Sequence, residues 1–210
     1  MWRIKNIKMD LLVGISKCIL AATLANKIIQ SISIRERSES TEALFFPEDS
    51  TKTFISKGHL SQKIHQGGGV VIDKSSNLAK VLDCIRNAKV SIDVCLYILT
   101  CPEFGNMVLE CLGRGVDVRI IVDFTSVQEN GLEVNRLRQR GVSIRGQRQQ
   151  HHIHHKFVIV DSKILLNGSF NWTQTAVTGN NENVVITSNA YLVNKFLAEF
   201  NKLWEEHKTP

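Results

Sequence analysis

The sequence predicts a mixed α/β domain whose sheet is largely buried and flanked by helices on both faces, with an anchor helix ahead of it. Three observations predict this. Helical and strand periodicities alternate from about residue 73 to residue 146. Glycine and proline punctuate the junctions, at Pro102, Gly115 and Gly141. A long amphipathic segment then closes the chain, from Ala190 to His207.

The elements follow in order. Residues 11–34, "LLVGISKCILAATLANKIIQSISI", are the most apolar long stretch, preceded by Arg3, Lys5 and Lys8 and interrupted by Lys17 and Lys27. A spanning helix needs about 20 mostly apolar residues, and this run qualifies if Lys27 snorkels to the interface. A cleaved signal and an amphipathic helix on a membrane or on the domain are the competing readings. No small-x-small site follows a clean apolar core, so residues 1–34 are read as a membrane-anchor or targeting helix. Residues 35–41 are a polar linker, and 42–210 the folded domain.

Within that domain "EALFF" (42–46) is a strand stopped by Pro47. Residues 48–69 are polar and irregular. Asp73 or Ser75 caps a helix to about Ala88, with Leu78, Val81, Leu82 and Ile85 at helical spacing. "VSIDVCLYIL" (90–99) alternates as a strand. Pro102 suits the first turn of a helix carrying Phe104, Val108, Leu109 and Leu112. Residues 116–124 form a strand, and 130–140 a helix with Leu132, Val134 and Leu137. "VSIRG" (142–146), "HHKFVIV", "ILLN" and "ENVVITS" (182–188) are strands, the middle two joined at Asp161-Ser162-Lys163 as a hairpin. Leu192, Phe196, Leu197, Phe200 and Trp204 form the apolar face of the closing helix.

Composition bounds the function loosely. The chain has 210 residues, a formal net charge of +6 and a pI of about 9.1, which favours polyanionic partners. Its five cysteines are odd in number and lack C-x-x-C spacing, so they read as reduced thiols.

The segment "HHIHHKFVIVDSKILLNGSFNWT" (151–173) carries the chemistry. On a strand from His154 to Val160, His154 and Lys156 point to one face, roughly 6–7 Å apart at Cα. That spacing suits two groups addressing one phosphate. Ser169 and Asn171 repeat it after Gly168, and Glu182 heads a later strand. Four histidines in five positions also suit Zn²⁺, His152 and His154 sharing a face. Lys156 and the Gly-Ser-x-Asn run weigh against a metal. Asp161 falls on the other face by parity and reads as structural, as do Asp93 and Asp123; Trp172 reads as core.

His154-x-Lys156, Asp161 and Gly168-Ser169-x-Asn171 match the HxKxxxxD…GSxN signature of the phospholipase D superfamily. "MVLECLGRGVDVRIIVD", "NNENVVI" and "FLAEFNKLWE" resemble its mitochondrial, single-motif branch, over about residues 42–206. The resemblance implies the phospholipase D-like fold, no cofactor, and catalysis by His154, Lys156, Ser169, Asn171 and Glu182, with Asp161 the motif's acid. His154 forms a phosphohistidine; a second His154 protonates the leaving group and then activates water. Lys156 and Asn171 donate to the non-bridging oxygens, and Glu182 holds the histidine ring. One motif per chain implies a homodimer with a shared site. Branch members often carry a Cys/His zinc finger, yet residues 47–73 hold His59 and His65 and no cysteine.

RNA and lipid are both phosphodiesters. Residues 113–150 hold seven arginines against four acids, and Arg145 and Arg148 lead toward the site, with His155 at its rim. A basic, glutamine-rich rim fits single-stranded RNA. The resemblance then implies an endoribonuclease of piRNA biogenesis at the mitochondrial outer membrane, facing the cytosol, with other piRNA-pathway proteins as partners. Hydrolysis of cardiolipin or another phosphatidyl lipid is the alternative, and an idle scaffold a third reading that the intact motif opposes.

Overall fold

The computed structural model describes residues 21–24, 39–48, 55–56, 59–60, 75–124, 127–147 and 151–207. Contacts divide the chain into Met1–Glu39 and Ser40–Pro210. In the first unit residues 21–24 are helical; the rest of the expected anchor helix lies outside the described residues, as do Cys18, His65 and Arg148. Among the described residues no helix is long and apolar enough to cross a membrane.

The second unit opens with β1 (Thr41–Phe46), followed by a small ladder of β2 (Ile55–Ser56) and β3 (His59–Leu60). Then come α1 (Asn77–Arg86), β4 (Ser91–Leu96), α2 (Pro102–Gly113), β5 (Asp117–Asp123), α3 (Val127–Gln139) and β6 (Ser143–Gln147). The chain ends with β7 (Lys156–Val160), β8 (Ile164–Gly168), α4 (Gln174–Thr178), β9 (Glu182–Thr187) and α5 (Ala190–Glu206). Seven strands form one mixed sheet in the order β1-β9-β8-β7-β4-β5-β6. β4, β5 and β6 run parallel, joined by α2 and α3 as crossovers. β7, β8, β9 and β1 add as an antiparallel meander.

Two cores result. Ile92, Val94, Leu96, Val118, Ile120 and Val122 face α1, α2 and α3 with Phe104, Val108 and Leu137. The opposite face carries Cys95, Ile121, Phe157 and Ile159, covered by Val193, Phe200 and Trp204 of α5. The polar-looking side of the β4 alternation is therefore a second core, where Asp93 is neutralised by a two-pronged ion pair with Arg119 (2.7 and 3.0 Å).

Several element details differ from expectation. The α1 cap is Ser76, whose Oγ accepts from the Ala79 N–H at 3.0 Å, three residues past Asp73 and one past Ser75. Leu132 is 90% exposed while Glu133, four residues before buried Leu137, faces inward and pairs with Arg136. Leu192 is on the open side of α5, one residue from buried Val193. The short helix α4 has no counterpart in the periodicity. The helices over 102–113 and 127–139 do end before glycines of positive φ, Gly115 (84°) and Gly141 (90°).

Candidate active site

The antiparallel register decides where the motif residues meet. Phe157 lies opposite Asn167, and Gly168 opposite Val184. The start of β7, the end of β8 and the start of β9 therefore share one rim of the sheet. The carboxyl ends of the parallel strands β4 and β5 open on the same rim, where ligands bind in open α/β sheets. Lys156, Ser169, Asn171 and Glu182 gather there with His154.

β7 begins at Lys156, so His154 and His155 precede the strand. The ladder stops because β4 ends at Leu96, the partner of Lys156. Their shared face survives nonetheless. Lys156 Nζ lies 3.2 Å from His154 Nδ1 and donates to the His154 carbonyl oxygen at 2.9 Å. An ammonium only donates, so Nδ1 accepts in this arrangement. The Tyr97 ring underlies both groups, 4.7 Å from the His154 ring and 5.3 Å from Nζ. Partial burial, then the Lys156 and His152 charges, hold the His154 imidazole below the usual histidine range. Burial pushes the Lys156 ammonium down as well, opposed by the Glu182 carboxylate.

Ser169 donates its hydroxyl proton to Glu182 Oε2, and its Oγ accepts from the Asn183 N–H at 3.1 Å. Asn180 Nδ2 donates to Glu182 Oε1 at 3.1 Å. Glu182 is thus occupied by Ser169 and Asn180, rather than by the His154 ring. Gly168 makes this possible, because a Cβ there would stand 2.0 Å from the Asn183 carbonyl oxygen. Asn171 Oδ1 accepts from the Ile98 N–H at 3.1 Å, beside Tyr97.

Asp161 lies at the far end of β7. Asp161 and Ser162 take positive φ (53° and 52°) in a turn closed by Lys163 N–H to Val160 O at 2.9 Å. The Asp161 carboxylate accepts from the N–H groups of Lys89, Val90 and Ser91 (2.7–3.1 Å). Burial opposes its ionisation, but those donors outweigh it and lower the pKa. Asp161 ties the β7–β8 turn to the entry of β4.

An open cavity of about 370 Å3 is walled by His152, Ile153, His154, His155, Leu203, Glu206 and His207. His155 also meets the Phe157 ring edge-on at 5.6 Å. Among the described residues no three His, Cys, Asp or Glu side chains are placed to hold a metal ion together. Buried Asp123, at the end of β5, accepts from the Ile153 N–H at 2.8 Å and lies 3.4 Å from His152 Nδ1. No local sequence signal links Asp123 to residues 152 and 153, about thirty positions on.

The arginine-rich stretch is largely committed. Arg145 donates to the Trp204 carbonyl and lies 4.1 Å over the indole. Arg119 pairs with Asp93, Arg136 with Glu133 and Arg114 with Glu110, while Arg138 lies 4.7 Å over Phe124. Trp172 is core, stacked on Phe104 at 4.7 Å.

Residues 81–204 match the family model described as a cardiolipin synthase, phospholipase D-like domain. The chain is 41% identical over 133 residues to a mitochondrial cardiolipin hydrolase from Chlamydomonas reinhardtii, covering 63% of this chain and 60% of that protein. It is 34% identical over 183 residues to the mitochondrial cardiolipin hydrolase of Homo sapiens, covering 85% of this chain and 73% of that protein. Among solved structures, the phospholipase D family member Nuc from Salmonella typhimurium superposes with a TM-score of 0.64 at 25% identity, covering 81% of this chain and 97% of that chain.

Proposed function

The chain belongs to the mitochondrial branch of the phospholipase D superfamily, and from that premise we infer that it is a metal-independent phosphodiesterase with His154 as nucleophile. The observation that carries this reading is the His154–Lys156 pair over Tyr97, on the rim that also holds Ser169, Asn171 and Glu182.

The residues divide the labour. The depressed proton affinity of His154 favours the neutral ring, which attacks phosphorus. A P–N bond forms and the P–O bond to the leaving group breaks. The departing oxygen takes a proton from His154 of the partner subunit, which this reading places across a shared site. That second ring then takes a proton from water as water cleaves the P–N bond. The Lys156 ammonium turns from His154 to a non-bridging oxygen, where charge accumulates, and Asn171 adds a donor. Glu182, bonded by Ser169, favours the charged form of Lys156.

Single-stranded RNA is the substrate that the cavity fits best. His152, His155, Glu206 and His207 make its wall largely polar, which suits a sugar–phosphate backbone better than acyl chains. Endonucleolytic cleavage in piRNA biogenesis, leaving 5′-phosphate ends, is the corresponding role. Its place is the mitochondrial outer membrane, held by residues 1–34 with the domain toward the cytosol. The names of the algal and human relatives favour a second reading, hydrolysis of cardiolipin. Incubating the protein in EDTA with single-stranded RNA and, in parallel, with cardiolipin vesicles separates the two. RNA cleavage lost in His154→Ala supports the main reading; lipid turnover without RNA cleavage overturns it.

A further inference from the structure

Asp123 is fully buried at 0% exposure, yet it bears on two residues that precede the nucleophile. Its Oδ2 takes the Ile153 N–H at 2.8 Å and stands 3.4 Å from His152 Nδ1. The Ile153 side chain is itself buried in the α5-side core. The segment 152–153 is therefore fastened at both backbone and side chain, immediately before His154. The Tyr97 ring meets His152 edge-on at 5.4 Å and His154 at 4.7 Å, so both imidazoles pack on one aromatic surface.

We propose that Asp123 and His152 form a positioning pair for His154: the buried carboxylate fixes the approach of the chain and holds His152, and His152 and Tyr97 together set the place and charge environment of the reacting ring. The pair is a positioning device, not a second reacting group. It rests on the reading of His154 as nucleophile.

The charges around His154 point in known directions. Lys156, His152 and His155 disfavour its protonation and Asp123 favours it. Across the cavity, Glu206 and His207 of α5 face the same space. Burying a carboxylate is costly unless it is paired. Asp123 recovers that cost through the Ile153 N–H and His152, which gives the pair a structural reason to persist.

His152→Gln tests the pair, because the side chain is 50% exposed and Gln keeps an N–H donor for Asp123. His152 opposes protonation of His154, so its removal moves the His154 titration, followed by imidazole NMR of the whole protein, to higher pH. The acid limb of kcat/KM against RNA moves with it. Asp123→Asn keeps an acceptor for Ile153 and removes the charge; kcat falls about tenfold, as when an outer partner of a reacting group is lost. A thermal melt shows whether Asp123→Asn is folded, and if it is not, His152→Gln alone decides. An unmoved His154 titration in His152→Gln overturns the proposal, as does a change confined to KM. Since the titration needs no turnover, it decides the pairing even if His154→Ala proves active and the nucleophile reading fails.

Discussion

Lys156 Nζ stands 3.2 Å from His154 Nδ1, with the Tyr97 ring beneath both. Lys156→Met removes the donor to the phosphate oxygens, and kcat should fall about 10²- to 10³-fold. Burial is the first cause of the low His154 proton affinity and the Lys156 charge the second. Without the ammonium the ring protonates more readily. The His154 titration, read by NMR, should therefore move to higher pH in Lys156→Met; a move to lower pH would contradict the charge assignment.

Glu182 acts on Lys156 in the opposite sense. Burial lowers the ammonium's pKa and the carboxylate raises it. In Glu182→Gln the ammonium loses its proton at lower pH, so the alkaline limb of the rate profile shifts down. Ser169→Ala, which leaves the carboxylate charge in place, should shift that limb much less. Rate profiles of the two variants side by side check the distinction.

Asp161 is a matter of stability. Its folded pKa lies below the usual carboxylate value, so its contribution is present above the unfolded pKa and is lost as pH falls through the folded one. Asp161→Asn keeps an oxygen for the Val90 and Ser91 N–H groups but sets an amide N–H against Lys89 in place of Oδ2 and removes the charge, which should cost about 1–3 kcal/mol at pH 7. Urea melts should show the gap between wild type and variant closing as pH is lowered through the carboxylate range. The His154 titration should stay in place.

A shared site has a stoichiometric signature. If each centre needs two copies of His154, mixing wild type with His154→Ala and allowing subunits to exchange gives activity that falls as the square of the wild-type fraction. An equal mixture should keep about a quarter of the activity. Linear dependence on the wild-type fraction would show that one protomer suffices.

Much of this architecture was legible in the sequence. Period-2 and period-3.6 patterns located the main strands and helices, because burial of one face is what those periods record. The limits are equally physical. Leu132 is an apolar residue at 90% exposure, while Glu133 takes the inward place by pairing with Arg136. The short helix α4 is held by the Thr173 cap rather than by an apolar stripe. In the site, the spacing of His154 and Lys156 implied a common face, and the contact exists although the strand begins at Lys156. Asp123 and its hold on residues 152–153 depend on the pairing of distant segments, which no local pattern carries. Counting arginines overstated the free positive charge, since Arg114, Arg119, Arg136, Arg138 and Arg145 are engaged by carboxylates, carbonyls or aromatic rings.

The position of Asp161 changes what the spacing of the motif measures. Lys156 stands at one rim of the sheet, and Asp161, five residues further on, clasps the entry of β4 at the other. The interval is the length of a single strand, gauged between two fixed posts. Exchange of one apolar residue for another within Phe157–Val160 leaves that gauge intact. Insertion or deletion of one residue would release a post or turn every intervening side chain over, sending core groups of one layer into the other. The four unspecified places in the signature are thus free in identity and fixed in number.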